Sequence, residues 1–268
     1  MKIQLKKNAV NYFLFIQLIS LFILILYGPF RVHRAMQIRI SNTEQRKNDF
    51  SELRKDNKYL DLRNYFNDLS LKETPIDIYS PFLDELFKKT FVEGDGNCSN
   101  VSFGVSYDLI RQGYDVKIIH FFPLSKKLLW QGAGHTALYL PIKYKNYKGY
   151  AILDSYQGSL PLYSNNKTLL INADNLTFEQ DNNSSTINLL RMKNLKRASD
   201  IYWSNDYIEN SVLGYIPKSD LNRYFSFANK LVFLRTNSGY INKIVVNSIG
   251  LLFMKNPRVY LTKYDYDR

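Results

Sequence analysis

Residues 91–122 read FVEGDGNCSNVSFGVSYDLIRQGYDVKIIHFF and carry most of the information about the architecture. Gly94 and Gly96 predict a tight turn with an exposed backbone. After that turn, apolar residues recur at helical spacing from position 98, which predicts a largely buried helix. The β-branched and aromatic run at 114–121 then predicts a buried strand.

A cysteine opens the predicted helix. Asp95 or Asn97 is suited to cap its N-terminus, and Gly113 to end it, so Cys98 falls in the first turn. Aligned peptide dipoles and free N–H groups at such a position favour a thiolate and lower the pKa of a thiol. The chain has a single cysteine, which excludes an intramolecular disulfide scaffold and a multi-cysteine metal site.

The next stretch, 132–158, reads GAGHTALYLPIKYKNYKGYAILDSYQG and predicts a hairpin. Strands at about 134–141 and 149–155 flank a polar turn. If the hairpin closes near positions 144 and 145, His135 lies opposite Asp154 on one side of the sheet, whereas a one-residue slip would separate them. A carboxylate there would fix the tautomer of the imidazole and stabilise its charged form.

Cys98, His135 and Asp154 therefore supply the thiol, the base and the orienting carboxylate that nucleophilic acyl chemistry needs. Each residue alone also has a structural interpretation. A cysteine on a buried helix can fill apolar space, a strand histidine can be structural, and an aspartate before a turn can cap it. Their order, spacing and predicted shared face favour the triad.

The same pieces resemble the transglutaminase-like superfamily, which has the papain-like cysteine peptidase fold. The resemblance rests on GDGNC at the start of a helix, GHTA on one strand and YAILD on the next, over roughly residues 91–157. It implies an α+β fold in which the nucleophile helix packs on an antiparallel sheet. It also implies Cys98 as nucleophile, His135 as general base and Asp154 as the residue that orients the base. The superfamily includes peptidases, amidases, acyl-transferring and cross-linking enzymes, and inactive relatives.

The donors of the oxyanion hole are open, because Val92 stands where papain-like peptidases have a glutamine. The backbone N–H of Cys98 is the first candidate donor. Asn97, Trp130 and Gln131 are further candidates for contact with the oxyanion or the substrate.

A second resemblance concerns the cysteine motif alone. The sequence DGNC is similar to the nucleophile motif of ovarian-tumour-type deubiquitinating peptidases. That group needs a histidine late in the domain, followed by an aromatic residue. The last histidine here is His135, and Thr136 follows it, so the transglutaminase-like interpretation is preferred.

Residues 12–30, YFLFIQLISLFILILYGPF, carry no charge and predict a single-pass transmembrane anchor behind a short basic tail at 1–11. At 1.5 Å per residue the segment is about 28 Å long, close to the hydrocarbon thickness of a bilayer. A cleavable signal peptide is the alternative, but no A-x-A-like cleavage site follows. The flanking positive charges are nearly balanced, and we expect an extracytoplasmic body because a short tail before an anchor commonly stays inside.

The remaining segments of the chain require no second domain. Residues 31–72 are polar and charge-rich and predict a helical stalk or covering helices, and 73–268 is the expected transglutaminase-like domain. Within it, strands in 160–192 are expected to join the main sheet. A helix is expected from position 219 to about 235, and the apolar run at 244–254 is too short to cross a bilayer.

Charge and motifs exclude several classes. The formal net charge is +12, but six basic residues and no acidic one lie in 1–43, which leaves about +6 for the remainder. That distribution fits an anionic membrane surface, and nucleic acid is not expected as a partner. The three histidines, His33, His120 and His135, show no metal-ligand spacing, and there is no phosphate-binding glycine motif, so neither a metal nor an organic cofactor is expected. His120 and both tryptophans, Trp130 and Trp203, are expected to serve packing.

Together these features predict a membrane-anchored, cysteine-dependent hydrolase, a peptidase or amidase that forms a thioester acyl-enzyme on a peptide or other acyl substrate. Two alternatives stay open. One is an acyl-transferring or cross-linking enzyme, and the other is a non-catalytic binding protein that keeps the fold.

Overall fold

The computed structural model of the chain describes residues 11–12, 14–20, 22, 37–50, 58–76, 78, 83–123, 134–174, 176–179, 186–193, 195, 202–204, 207–208, 211–217, 219–226 and 258–261. The helices of the main body in these ranges are α1 Thr43–Phe50, α2 Leu62–Asp68, α3 Leu83–Phe87, α4 Cys98–Arg111 and α5 at 219–226, and α3 continues as a π-helical turn at Lys88–Val92. The strands are β1 Gln37–Ile40, β2 Leu60–Asp61, β3 Lys117–Pro123, β4 His135–Tyr144, β5 Tyr147–Leu153, β6 Ser159–Tyr163, β7 Ile171–Asn172, β8 Thr177–Phe178, β9 Ile187–Arg191, β10 Ser211–Ile216 and β11 Arg258–Leu261.

A mainly antiparallel sheet, with seven strands in the described part of the chain, organises these elements. Its order is β1-β11-β10-β3-β4, and both β5 and β2 pair with β4. The ladders are antiparallel except where β1 pairs with β11 and β2 with β4. Helices and strands in one body make this a mixed α+β fold, as the sequence predicts.

Two apolar cores lie on the two faces of the sheet. Because side chains alternate along a strand, neighbouring residues of β4 belong to different cores. Leu138 and Leu140 pack in the core that contains Val101 and Val105 of α4. Ala137 and Tyr139 pack in the other core, which contains Trp203. The helix that begins at the cysteine therefore covers one face, and a mostly aromatic core covers the other.

The helix α4 forms as the sequence predicts, and Asn97 is its cap. Asn97 Oδ1 accepts the N–H of Asn100 at 3.0 Å, and Asn100 Oδ1 accepts the N–H of Asn97 at 3.1 Å, a reciprocal capping box. Asp95, the alternative cap, instead forms an ion pair with Lys72 and accepts the N–H of Ile76. The glycine-rich turn before the cysteine is thus tied to the segment that precedes α3.

The hairpin of β4 and β5 forms with a register shifted by two residues from the one expected. It closes at Lys145 and Asn146, where Lys145 has a left-handed φ of 50°. Tyr139 therefore lies opposite Ile152, and Tyr144 opposite Tyr147. A shift of two residues keeps every side chain on its predicted face, since the period of a strand is two.

The segment 31–72 differs from the expected helical stalk. It does contain α1 and α2, but β1 and β2 also lie in it and both pair within the main sheet. The sequence of β1, QIRI, alternates polar and apolar residues, which is the pattern of a strand. This part of the chain thus contributes to the folded body from residue 37 onward.

The structure describes only part of the predicted membrane segment. Residues 12, 14–20 and 22 are helical and exposed, and the rest of 12–30 lies outside the described residues, as do nearly all of 1–11. Within the described parts of the chain, no helix has both the length and the apolar character needed to traverse a bilayer. The anchor and the side of the membrane stay predictions.

The strands expected at 160–192 exist but do not join the main sheet. β6 pairs with β9, and β7 with β8, as separate two-stranded sheets. The turn at 155–158, with Gly158 at a φ of +59°, leads the chain away from the edge formed by β5. The helix α5 covers the start of the one expected from position 219, and the run at 244–254 lies outside the described residues.

Candidate active site

His135 and Asp154 form a buried pair. Nε2 of His135 lies 2.9 Å from Oδ2 of Asp154, and both side chains are fully buried. The pairing follows from the strand ends: His135 begins β4, and Asp154 comes directly after β5. The sequence-based expectation that these two side chains meet on one face is confirmed.

The carboxylate of Asp154 is held by two further donors. Nε1–H of Trp203 donates to Oδ2 at 2.6 Å, and the backbone N–H of Gln157 donates to Oδ1 at 3.0 Å. Both oxygens of a fully buried carboxylate thus receive hydrogen bonds, and its orientation toward His135 is fixed. The hydrogen bond from Trp203 to the carboxylate of Asp154 corrects the expectation that this tryptophan serves packing only.

Cys98 is the first residue of α4, and the residue is partly exposed. Burial alone would raise the pKa of the Cys98 thiol, but the neighbouring imidazole of His135 and the backbone N–H of Thr136 outweigh it, so the pKa lies below its ordinary value. A lowered thiol pKa at a helix N-terminus is typical of nucleophilic cysteines.

The imidazole of His135 is correspondingly biased toward its charged form. Burial opposes the charge, but the carboxylate of Asp154 and the Cys98 thiol together raise the pKa of the ring above its ordinary value. Nδ1 of His135 has no hydrogen-bond partner among the described residues, whereas Nε2 is hydrogen-bonded to Asp154. The nitrogen left for the thiol is therefore Nδ1.

The thiol and the imidazole meet at the end of the sheet. The body of α4 covers one face, while the ring of His135 contacts Phe121 and Trp203 of the aromatic core on the other. His135 is the first residue of β4 and pairs with Phe121 at the last rung of the β3–β4 ladder, so its ring lies at the end of the strand, where it interacts with Cys98. Gly134 has no side chain there, and a Cβ at that position would lie 2.8 Å from the carbonyl oxygen of Phe121.

Aromatic rings enclose the imidazole. The ring of Tyr202 stacks on His135 with centroids 4.6 Å apart and planes 6° apart, and Trp203 meets it edge-on at 5.8 Å and 90°. Phe121 lies 6.0 Å away, tilted by 35°. Burial and the nearby charge of Cys98 raise the pKa of the Tyr202 phenol.

A set of hydroxyl groups joins the helix α4 to β4. Ser99 Oγ lies 3.1 Å from Thr136 Oγ1, which lies 3.1 Å from Nδ1 of His120. Ser102 Oγ donates to the carbonyl of Thr136 at 3.0 Å, so Ser155, also 3.0 Å away, donates to Ser102. Burial lowers the pKa of His120 to about 4, and this histidine is a neutral core residue as expected.

The structure describes only some of the candidate oxyanion residues. Trp130 and Gln131 lie outside the described residues. Asn97 is exposed, and its side-chain oxygen caps α4, so its amide group is the part left for the predicted contact. The N–H of Cys98 belongs to the first turn, where backbone donors have no intrahelical acceptor. The oxyanion role of each of these groups stays a prediction.

No family model, no curated protein and no solved structure matches the chain. Among the residues that the structure describes, no three His, Cys, Asp or Glu side chains are grouped so that they could hold a metal ion.

Proposed function

We propose that the protein is a membrane-anchored cysteine hydrolase, a peptidase or amidase, with Cys98 as nucleophile, His135 as general acid and base, and Asp154 as the orienting carboxylate. The observation that carries the proposal is the junction of three parts: a thiol of lowered pKa at a helix N-terminus, an imidazole beside it, and a buried carboxylate 2.9 Å from the far nitrogen of that imidazole. Nucleophilic acyl chemistry requires this arrangement of a nucleophile, a base and a group that orients the base.

In the first half-reaction the Cys98 thiolate attacks the carbonyl carbon of an amide. A carbon–sulfur bond forms, and the carbonyl electron pair moves onto the oxygen, close to the free N–H groups of the first turn of α4. When the intermediate collapses, the carbon–nitrogen bond breaks and the leaving amine takes the proton of the His135 imidazolium. The products are an amine and a thioester on Cys98.

In the second half-reaction the neutral imidazole of His135 removes a proton from water as the water oxygen attacks the thioester. A carbon–oxygen bond forms, the carbon–sulfur bond breaks, and the carboxylic acid product leaves. The thiolate and imidazolium are then restored. Asp154 orients the ring and stabilises the imidazolium of the resting state.

The papain-like, transglutaminase-like core belongs to the same proposal. Its support is the nucleophile helix α4 packed on an antiparallel sheet, with the histidine and the carboxylate at the ends of the neighbouring strands β4 and β5. The support for membrane attachment is the uncharged segment 12–30. The substrate is a peptide or another amide, and its carbonyl carbon would be attacked by the thiolate of the partly exposed residue Cys98.

The test is a defined mixture of unstructured peptides incubated with the full chain and analysed by mass spectrometry, with Cys98→Ala as control. Hydrolysis yields peptides cleaved at an amide or carrying a side-chain amide converted to acid. Added hydroxylamine should divert part of the product to hydroxamate, because it competes with water for the thioester. Transfer to peptide amines without any hydrolysed product would instead indicate a cross-linking enzyme. Identical spectra with Cys98→Ala would contradict catalysis on these substrates.

A further inference from the structure

One group beside the proposed triad has no part in the steps above. Tyr202 is half-buried, and its ring lies flat on the imidazole of His135, 4.6 Å between centroids and 6° from parallel. Its other side is supported by Tyr207, whose ring meets it edge-on at 5.0 Å and 75°. The face of Tyr202 is thus held against the side chain that carries the transferred proton in both half-reactions.

The physics of this contact depends on the charge of the imidazole. A neutral imidazole gains only stacking and dispersion from a parallel ring. An imidazolium within about 6 Å of the ring centroid also gains electrostatic attraction to the aromatic face, and that attraction is larger where water is excluded. His135 is fully buried, so the contact favours the charged form over the neutral one.

The neighbouring residue acts on the same pair. Trp203 donates its indole N–H to Asp154 and meets His135 edge-on. Tyr202 thus contacts the ring of His135, and Trp203 is hydrogen-bonded to the carboxylate of Asp154.

Few other titratable groups of the described residues lie near the imidazole of His135. Asp154 and Cys98 face His135, and among the described residues the charge of Cys98 reaches the phenols of Tyr202, Tyr207 and Tyr224 and raises their pKa, in each case after the larger effect of burial. These phenols stay neutral in the working range of pH. The contribution of Tyr202 therefore comes from its ring face and not from a charge of its own.

We propose that Tyr202 is a positioning residue for His135: its ring holds the imidazole in the plane that faces Cys98 and, together with Trp203, stabilises the thiolate–imidazolium pair. The inference rests on the proposed function, and it adds a residue about 100 positions from the nucleophile that the sequence motifs did not indicate.

The experiment is the rate of alkylation of Cys98 by iodoacetamide as a function of pH, followed by mass spectrometry on the full chain. The single thiol makes the signal unambiguous. Tyr202→Leu should raise the pH midpoint of alkylation by about one unit and slow the reaction about tenfold below that midpoint, since a shift of one unit lies within the range of a desolvated cation–π contact. Tyr202→Phe keeps the ring and should keep the midpoint. Tyr144→Leu, a half-buried tyrosine at the opposite end of β4, is the matched control.

The outcomes separate this inference from the proposed function. A wild-type midpoint at the ordinary thiol pKa of about 8.5 would overturn the proposed function and this inference with it. A low wild-type midpoint that Tyr202→Leu leaves in place would overturn the role of Tyr202 alone, as would a Tyr202→Phe midpoint displaced as far as that of Tyr202→Leu.

If Tyr202→Leu does not fold, the wild-type protein still provides the test. The proton on Cε1 of His135 should resonate upfield of its random-coil position because of the stacked ring, and the chain has only three histidines to assign. An unshifted resonance would refute the stack.

Discussion

Replacing Asp154 with asparagine is the sharpest perturbation of the site, because it keeps the shape of the side chain and changes only charge and hydrogen bonding. The carboxylate accepts from His135 and Trp203 through Oδ2 and from the N–H of Gln157 through Oδ1. An amide has one oxygen and one NH₂ group, so it can replace only one of these two acceptors.

Either orientation of the substituted amide leaves donors facing each other. With its oxygen at the place of Oδ2, the NH₂ group faces the N–H of Gln157, and in the flipped orientation it faces the indole N–H of Trp203. A lost charge-assisted hydrogen bond costs about 1.5–3 kcal/mol, and a buried donor left unsatisfied costs about 1–3 kcal/mol more. We therefore expect Asp154→Asn to lower the free energy of unfolding by about 3–5 kcal/mol, the range for breaking a buried charged pair.

The loss of the carboxylate also removes the group that stabilises the His135 imidazolium. The rate of alkylation of Cys98 by iodoacetamide near pH 6.5 should fall about tenfold, equivalent to roughly one pKa unit. Urea unfolding and alkylation of the full chain measure the two effects. Asp174→Asn is the matched control, because Asp174 is an exposed partner of Lys47 at 2.9 Å and should change stability by less than about 1 kcal/mol. An Asp154→Asn protein as stable and as reactive as the wild type would refute this account of the site.

Three further predictions concern single contacts. Trp203→Phe keeps the aromatic ring but removes the donor to Asp154, and should lower the free energy of unfolding in urea by about 1.5–3 kcal/mol; an unchanged unfolding curve would mean that the indole N–H does not hold the carboxylate. Gly104→Ala places a Cβ against Oγ1 of Thr90 where the π-helical turn crosses α4, and should cost about 1–3 kcal/mol by the same measurement, partly restored by Thr90→Ala. Burial lowers the pKa of His120 to about 4, so between about pH 4 and 6.5 the unfolded chain binds a proton at this residue that the folded protein does not. The free energy of unfolding should therefore rise with pH over that window, and it should rise less in His120→Gln. An equal rise in both proteins would contradict a buried neutral His120.

The parts of the site that the sequence predicts correctly are local. Short-range hydrogen bonds decide where the helix that begins at Cys98 starts and ends. Its cap and its glycine exit each depend on residues that are close together in the sequence. The choice between Asp95 and Asn97 is open from sequence alone because Asp95 is engaged by Lys72 and by the N–H of Ile76, contacts from about twenty residues earlier in the chain.

The hairpin shows why an approximate register is sufficient. The turn at Lys145 and Asn146 needs a left-handed φ at Lys145, which a lysine rarely adopts, so the residues themselves carry little sign of the true position. The resulting error is two residues. An even error preserves the face of each side chain, and the meeting of His135 with Asp154 therefore survives it.

The residues that sequence reasoning misses lie far away along the chain. Trp203 is 49 positions from the carboxylate that it binds, and Tyr202 lies further still from Cys98. No periodicity or capping pattern reports such contacts, because they depend on how the chain returns after β9. The available signal is two adjacent aromatic residues, since a tryptophan with a buried N–H needs an acceptor. The pairing of β1 with β11 escapes for the same reason, because these strands are more than 200 residues apart.

The most direct measurement is the pH dependence of Cys98 alkylation by iodoacetamide in the wild-type chain and in His135→Gln. A thiolate stabilised by an adjacent imidazolium should react with a midpoint well below the ordinary thiol pKa of about 8.5, and His135→Gln should move that midpoint upward by at least about one unit. A wild-type midpoint near 8.5 that His135→Gln leaves unchanged would contradict the claim that Cys98 and His135 form a catalytic pair.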